Sequence, residues 1–136
     1  IFQKCWLNGW RALRLKRVIR VNPLPDAPFV LRSLNANKVA LPPKPPVAAQ
    51  SFEDFLRVVC DTFSIITIDD LPNLPYGSTA GTIIDVSSDS ITIREISTEG
   101  FWQTEQLTLK LNDIVVVLFG SKYEDTLARI ARLPDT

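Results

Sequence analysis

The most chemically suggestive residues of this chain are cations. Arg11, Arg14, Lys16, Arg17 and Arg20 fall within a short stretch, with Trp6 and Trp10 beside them. Guanidinium groups clamp phosphates and indole rings stack on bases, so the stripe suits a nucleic acid. It suits an acidic protein surface equally well. A second pair, Phe101 and Trp102 in "STEGFWQTE", is expected near a hairpin tip. Exposed there, it would be an anchor for a partner; otherwise one of the two rings folds back over the sheet.

Little else points to catalysis. The chain has no histidine, which removes Ser-His-Asp and Cys-His arrangements and the H-E-x-x-H zinc motif. Neither G-x-x-x-x-G-K-[ST] nor G-x-G-x-x-G occurs. Asp69 and Asp70 with Asp61 are a conceivable Mg²⁺ set, but a hard cation needs several converging oxygens; a solvated strand end is the simpler reading. Cys5 and Cys60 are the only cysteines, too few for a zinc site without histidine. Both read as reduced thiols, Cys60 as an inert one on a helix. The expectation is a non-enzyme with no cofactor and no metal.

Charge divides the chain. Residues 1–50 carry nine Lys/Arg against one acid, Asp26, a net +8; residues 51–136 carry six Lys/Arg against fourteen Asp/Glu, a net −8. A basic arm lying on an acidic domain, its own or a neighbour's, accounts for this most simply. With 46% apolar and 22% charged residues in 136, the chain is expected to be globular. No window is apolar enough to span a membrane. Arg11, Arg14, Lys16 and Arg17 would interrupt any secretory h-region in residues 1–20. Cytoplasmic location is the expectation.

The elements that must position these residues follow from periodicity. Over 2–19, Phe2, Trp6, Trp10 and Leu13 recur at helical spacing, and a lone helix of that length needs a surface to dock on. Residues 22–50 hold seven of the ten prolines and read as an extended linker. Within it, 29–41 has the pattern of a small hairpin turning at Asn35-Ala36-Asn37. From Ser51 a capping box with Asp54 opens a helix whose face is Phe52, Phe55, Leu56, Val59 and Phe63. Strands are expected at 64–68, on both sides of the turn Ser87-Ser88-Asp89, at 106–113 and at 114–120. Leu107, Leu109 and Leu111 alternate onto one face, while 114–120 is apolar throughout, as in a strand covered on both sides. A second capping box, Ser121 with Glu124, opens a last helix with Tyr123, Leu127 and Ile130 on its apolar face. The fold class is α+β. An N-terminal helix and a Pro-rich arm (1–50) precede a domain (51–136) of one helix, five bent antiparallel strands curled as a small barrel, and a C-terminal helix.

The region from about 51 to 127 resembles the Sm-like fold. Gly81-Thr82-Ile83 with Asp89 at the following turn is similar to the first Sm motif, and "VVVLFGS" ending at Gly120 is similar to the second. Phe119 stands where the family has the basic residue of its RNA pocket, and Ser90 and Ile91 follow Asp89 where an asparagine is expected. A further resemblance is to small uncharacterised bacterial proteins, through Phe63, Thr67, Ile68, Gly81, Asp89, Ser90, Thr92, Glu95, Ile96, Trp102, Leu107, Asp113, Ile114, Phe119, Gly120, Tyr123, Glu124 and Leu127. It implies the barrel and carries no activity.

Three functions are compatible with these residues. The first is a non-catalytic assembly or interaction module, joining a protein partner or another copy of itself through open strand edges. The second is RNA binding through the basic arm. The third is an inhibitor or immunity-type protein whose acidic domain masks a basic partner.

Overall fold

The computed structural model describes residues 10–14, 27–38 and 49–132. In chain order they form β1 (Trp10–Leu13), α1 (Ala27–Ala36), α2 (Phe52–Phe63), β2 (Ile66–Asp70), β3 (Thr79–Val86), β4 (Ser90–Ile96), β5 (Trp102–Lys110), β6 (Ile114–Phe119) and α3 (Lys122–Ile130), with single 3-10 turns at Leu71–Asn73 and Leu111–Asp113. All strands pair antiparallel, in the order β1-β6-β2-β3-β4-β5. Among the described residues no helix is long and apolar enough to cross a membrane.

The α+β class holds, and residues 51–136 supply five strands, β2 to β6. The sheet nevertheless has six, because the arm contributes one. Residues 10–13, expected as part of a helix over 2–19, are a strand whose Trp10 pairs with Phe119 and Leu13 with Val116. The reason is local and tertiary together. Trp10 and Ala12 alternate inward against the core while Arg11 and Leu13 face out, a period of two. The edge of β6 offers unpaired N–H and C=O groups that a strand satisfies and a helix does not. Residues 2–9 and 15–19 of that expectation lie outside the described residues.

The expected hairpin at 29–41 is also overturned, since Ala27–Ala36 is helical. Pro28 sits in its first turn, where a missing N–H costs nothing. The asparagines end the helix instead of turning a hairpin: both the backbone N–H and the Nδ2 of Asn37 donate to the Ser33 carbonyl, and Lys38 takes a positive φ.

Both serines cap their helices. The Asp54 N–H donates to Ser51 Oγ at 3.1 Å, and the Asp54 carboxylate accepts from the Gln50 N–H. The Glu124 N–H reaches Ser121 Oγ at 3.5 Å. The Ser87–Asp89 turn closes with the Ser87 N–H donating to the Ser90 carbonyl and the Ser87 hydroxyl to Asp89.

Two apolar clusters hold the sheet. The larger joins Leu56 and Val59 of α2 to Ile66, Ile68, Ile91, Ile93, Val117 and Phe119. The smaller joins Leu127 of α3 to Ile65, Ala80 and Ile96, with Trp102 packed against it. Neighbouring residues Ile65 and Ile66 enter different clusters, so α2 and α3 cover different faces. β6 lies between β1 and β2, and every residue of its apolar run is buried or half-buried, Ile114, Val117 and Phe119 most deeply. Phe119 is an aromatic hub, with Phe55 edge-on at 5.9 Å and Phe63 at 5.0 Å; a basic side chain there would be buried without a partner. Gly120 follows with φ of +73°, the left-handed backbone that lets the chain leave the strand for α3. Register shifts at Asp69/Asp70, Ile83/Asp85 and Arg94/Ile96 bend the strands.

Candidate functional site

The edge strand β5 and its approach form the most exposed ordered surface of the sheet. The turn from Ser97 is tied by its hydroxyl, which accepts from the Glu99 and Phe101 N–H groups. The Ser97 N–H donates to the Phe101 carbonyl and the Gly100 N–H to that of Ser97. Gly100 has φ of +88° and lies against Ile130 of α3, so the turn is seated on the helix. This presents Phe101 outward, 61% exposed. Trp102 does the opposite: it is half-buried against the smaller cluster, with the Arg94 guanidinium over its ring at 4.8 Å. Of the two rings expected at this corner, one is free to meet a partner and one folds back.

From Gln103 to Thr108 every residue of β5 is exposed. Among the described residues its only strand partner is β4. Leu107 and Leu109 sit opposite Ile93 and Ile91, on the expected face. Leu109 and Leu111 pack inward, but Leu107, midway along the edge strand, remains 37% exposed. A depression there is lined by Glu95, Gln103, Thr104, Glu105 and Leu107, so this end of the sheet is acidic.

Of the basic stripe, Arg11 and Arg14 lie among the described residues, and the two differ. Arg11 is exposed on β1. Arg14 is turned inward: its Nη1 donates to the Leu111 carbonyl, its N–H donates to Val115, and its guanidinium lies 4.3 Å from the centroid of the Phe52 ring. These contacts fasten the end of β1 to the body of the fold. Lys16, Arg17 and Arg20, like Trp6, lie outside the described residues. Trp10 packs on the large cluster, as a docked arm requires.

The carboxylates do not converge. Asp70 is 3% exposed and accepts from Asn73 Nδ2 at 2.7 Å, and Asp69 accepts from the Ser78 hydroxyl. Both brace the β2–β3 loop, so the expected solvated strand end is corrected for Asp70. Asp61 is exposed on α2. Among the described residues no three potential metal ligands gather.

Cys60 has a structural task. β2 pairs with β3 only over Thr79–Gly81, leaving the β3 edge open beyond it. The Ile83 N–H on that edge donates to Cys60 Sγ at 3.1 Å, and the Thr82 hydroxyl lies 3.4 Å from the same sulfur. Cys5 lies outside the described residues.

Sequence reasoning missed a groove on the α3 side. It is lined by Ser64, Ile65, Thr82, Trp102, Ala128, Ala131 and Arg132. These come from four separate segments, so no local spacing announces them. No protein-family model, no curated relative and no solved structure matches the chain.

Proposed function

We propose that this chain is a non-catalytic binding and assembly module on an Sm-like curled sheet, which pairs with a second copy or a protein partner through the β5 edge. The observation that carries the reading is the asymmetry of the two edges. On one side the arm's β1 already pairs with β6 and carries the exposed cation Arg11, a charge of the kind that blunts an edge against pairing. On the other, β5 offers nine residues with one strand partner among the described residues and a run of exposed side chains. Unpaired backbone donors and acceptors along such an edge form hydrogen bonds with any strand that can lie beside them. The absence of histidine from the chain supports the non-catalytic part.

RNA binding through the arm is a second reading, favoured by the exposed Arg11 and weakened by the commitment of Arg14 to Leu111 and Phe52.

Sedimentation equilibrium of the full chain at low and high salt tests the main proposal. Self-association that survives high salt and is lost in Leu107→Lys is expected, since a lysine on an edge strand opposes pairing. A strict monomer under every condition, with no strand-adding protein partner, would overturn it.

A further inference from the structure

The groove beside α3 has a floor and a rim of different chemistry. Ile65, Trp102, Ala128 and Ala131 make the floor, and Thr82 and Arg132 stand at the rim. Arg94 belongs to the same rim, because it is the register partner of Thr82 and lies over the Trp102 ring. Residues 51–136 carry only six Lys/Arg against fourteen acids, yet two of the six meet here. Neither Arg94 nor Arg132 makes an ion pair among the described residues. The acids of the adjoining strands, Glu95 and Glu105, face a separate depression. The cavity volume is about 180 Å³, below the roughly 300–1,000 Å³ of a small-molecule site, and suited to one large side chain.

We infer that this groove receives a short acidic segment of a partner protein: one apolar or aromatic side chain on the Trp102–Ala131 floor, with flanking carboxylates on Arg94 and Arg132. Arginine is the cation for this task. Its planar fork meets a carboxylate through two hydrogen bonds, and stacking on Trp102 holds Arg94 in place before a partner arrives. A polyphosphate chain fits less well. RNA draws its affinity from many phosphate contacts along its path, and here two cations stand in a domain with a net charge of −8. One or two carboxylates need only the local pair, because charges beyond about 8–10 Å are screened at physiological salt. The groove shares Trp102 with β5 but none of its exposed Gln103–Thr108 run, so the proposal holds whether or not that run self-associates.

The test is an NMR titration of the isotope-labelled full chain with three blocked pentapeptides, Gly-Glu-Phe-Glu-Gly, Gly-Glu-Ala-Glu-Gly and Gly-Lys-Phe-Lys-Gly, and with a mixed-sequence RNA oligomer. Saturable shifts at Thr82, Ala131 and the Trp102 indole N–H are expected with the first peptide. Affinity should be roughly tenfold weaker for the alanine and lysine versions. Arg132→Glu, and separately Arg94→Glu, should weaken the first peptide by a similar factor and improve the lysine peptide. Unchanged resonances elsewhere show that the fold is intact. The proposal is overturned by shifts that do not saturate, by equal affinity for the acidic and lysine peptides, by charge reversals that change nothing, or by RNA occupying the groove more tightly than the acidic peptide.

Discussion

The carbonyl oxygen of Arg94 occupies the space that a Cβ on Gly81 would need, with Ile93 Cγ2 a further 2.9 Å neighbour of that position. Gly81 is the point where β3 passes from pairing with β2 to pairing with β4 alone. Strands that cross this closely tolerate only hydrogen on the inner side. Gly81→Ala is therefore expected to lose about 2–3 kcal/mol through forced separation of β3 and β4. Chemical denaturation measures it. An unchanged midpoint would show that the strands can part without cost.

Arg14 joins the arm to the domain through a main-chain carbonyl and an aromatic face at once. Removing it should cost about 2–4 kcal/mol, the sum of a charged hydrogen bond and a cation–π contact of ordinary size. The more informative readout is local. In Arg14→Ala, amide exchange should accelerate at Ala12 and Leu13 and along the facing edge of β6, with Ile91 and Ile93 unaffected. Uniform acceleration throughout the sheet would mean that β1 is integral to the fold and not a docked strand.

What the sequence made legible and what it hid have physical causes. Serine followed three residues later by a carboxylate, ahead of an apolar helical face, is self-contained information, and both helices after such boxes are where it places them. The run Val115 to Phe119 and its stop at Gly120 were readable because burial on two sides and a positive φ each leave a mark on residue type. The arm was misread because four residues of strand, Trp10–Leu13, sit inside a helix-like spacing that continues from Phe2 and Trp6. Only the open edge of β6 decides between the two, and that edge is a tertiary fact. The helix at Ala27–Ala36 was hidden by its aromatic and β-branched start and by asparagines that serve a hairpin turn or a helix end equally. The rim of the α3 groove gathers Thr82, Arg94 and Arg132 from two strands and the turn after α3, distant in sequence; the β3–β4 register sets Thr82 opposite Arg94. The exposure of Phe101 and the burial of Trp102 could be posed as alternatives from sequence, but the contact of Gly100 with Ile130 assigns them.

Cys60 takes the place of a strand partner for the Ile83 N–H. Its replacement should therefore depend on acceptor chemistry and not on thiol reactivity. Cys60→Ala leaves the donor unmet in a half-buried seam, at a cost of about 1–3 kcal/mol. Cys60→Ser retains an acceptor and should recover part of that loss. Thermal denaturation of the two variants ranks them. A serine variant no more stable than the alanine variant would assign the role to sulfur's size.

Glu124 closes its capping box at an unusual depth. The Ser121 hydroxyl donates to Oε2, but the side chain is 4% exposed and Oε1 has no hydrogen-bond partner among the described residues. A capping glutamate normally stands in water, where the second oxygen is solvated at no cost. Here the carboxylate keeps its favourable place at the N-terminus of α3 while one oxygen is buried unmet, a burden larger for an ionised group than for an amide. Glu124→Gln keeps the shape and an oxygen for the Ser121 hydroxyl and removes the buried charge. It is expected to stabilise the chain by about 1 kcal/mol, whereas Ser121→Ala, which removes the cap itself, should destabilise it by about 1 kcal/mol. Urea denaturation of both variants beside the parent decides the matter. A glutamine variant that loses stability as the alanine variant does would show that the dipole interaction of the carboxylate outweighs the cost of burying Oε1.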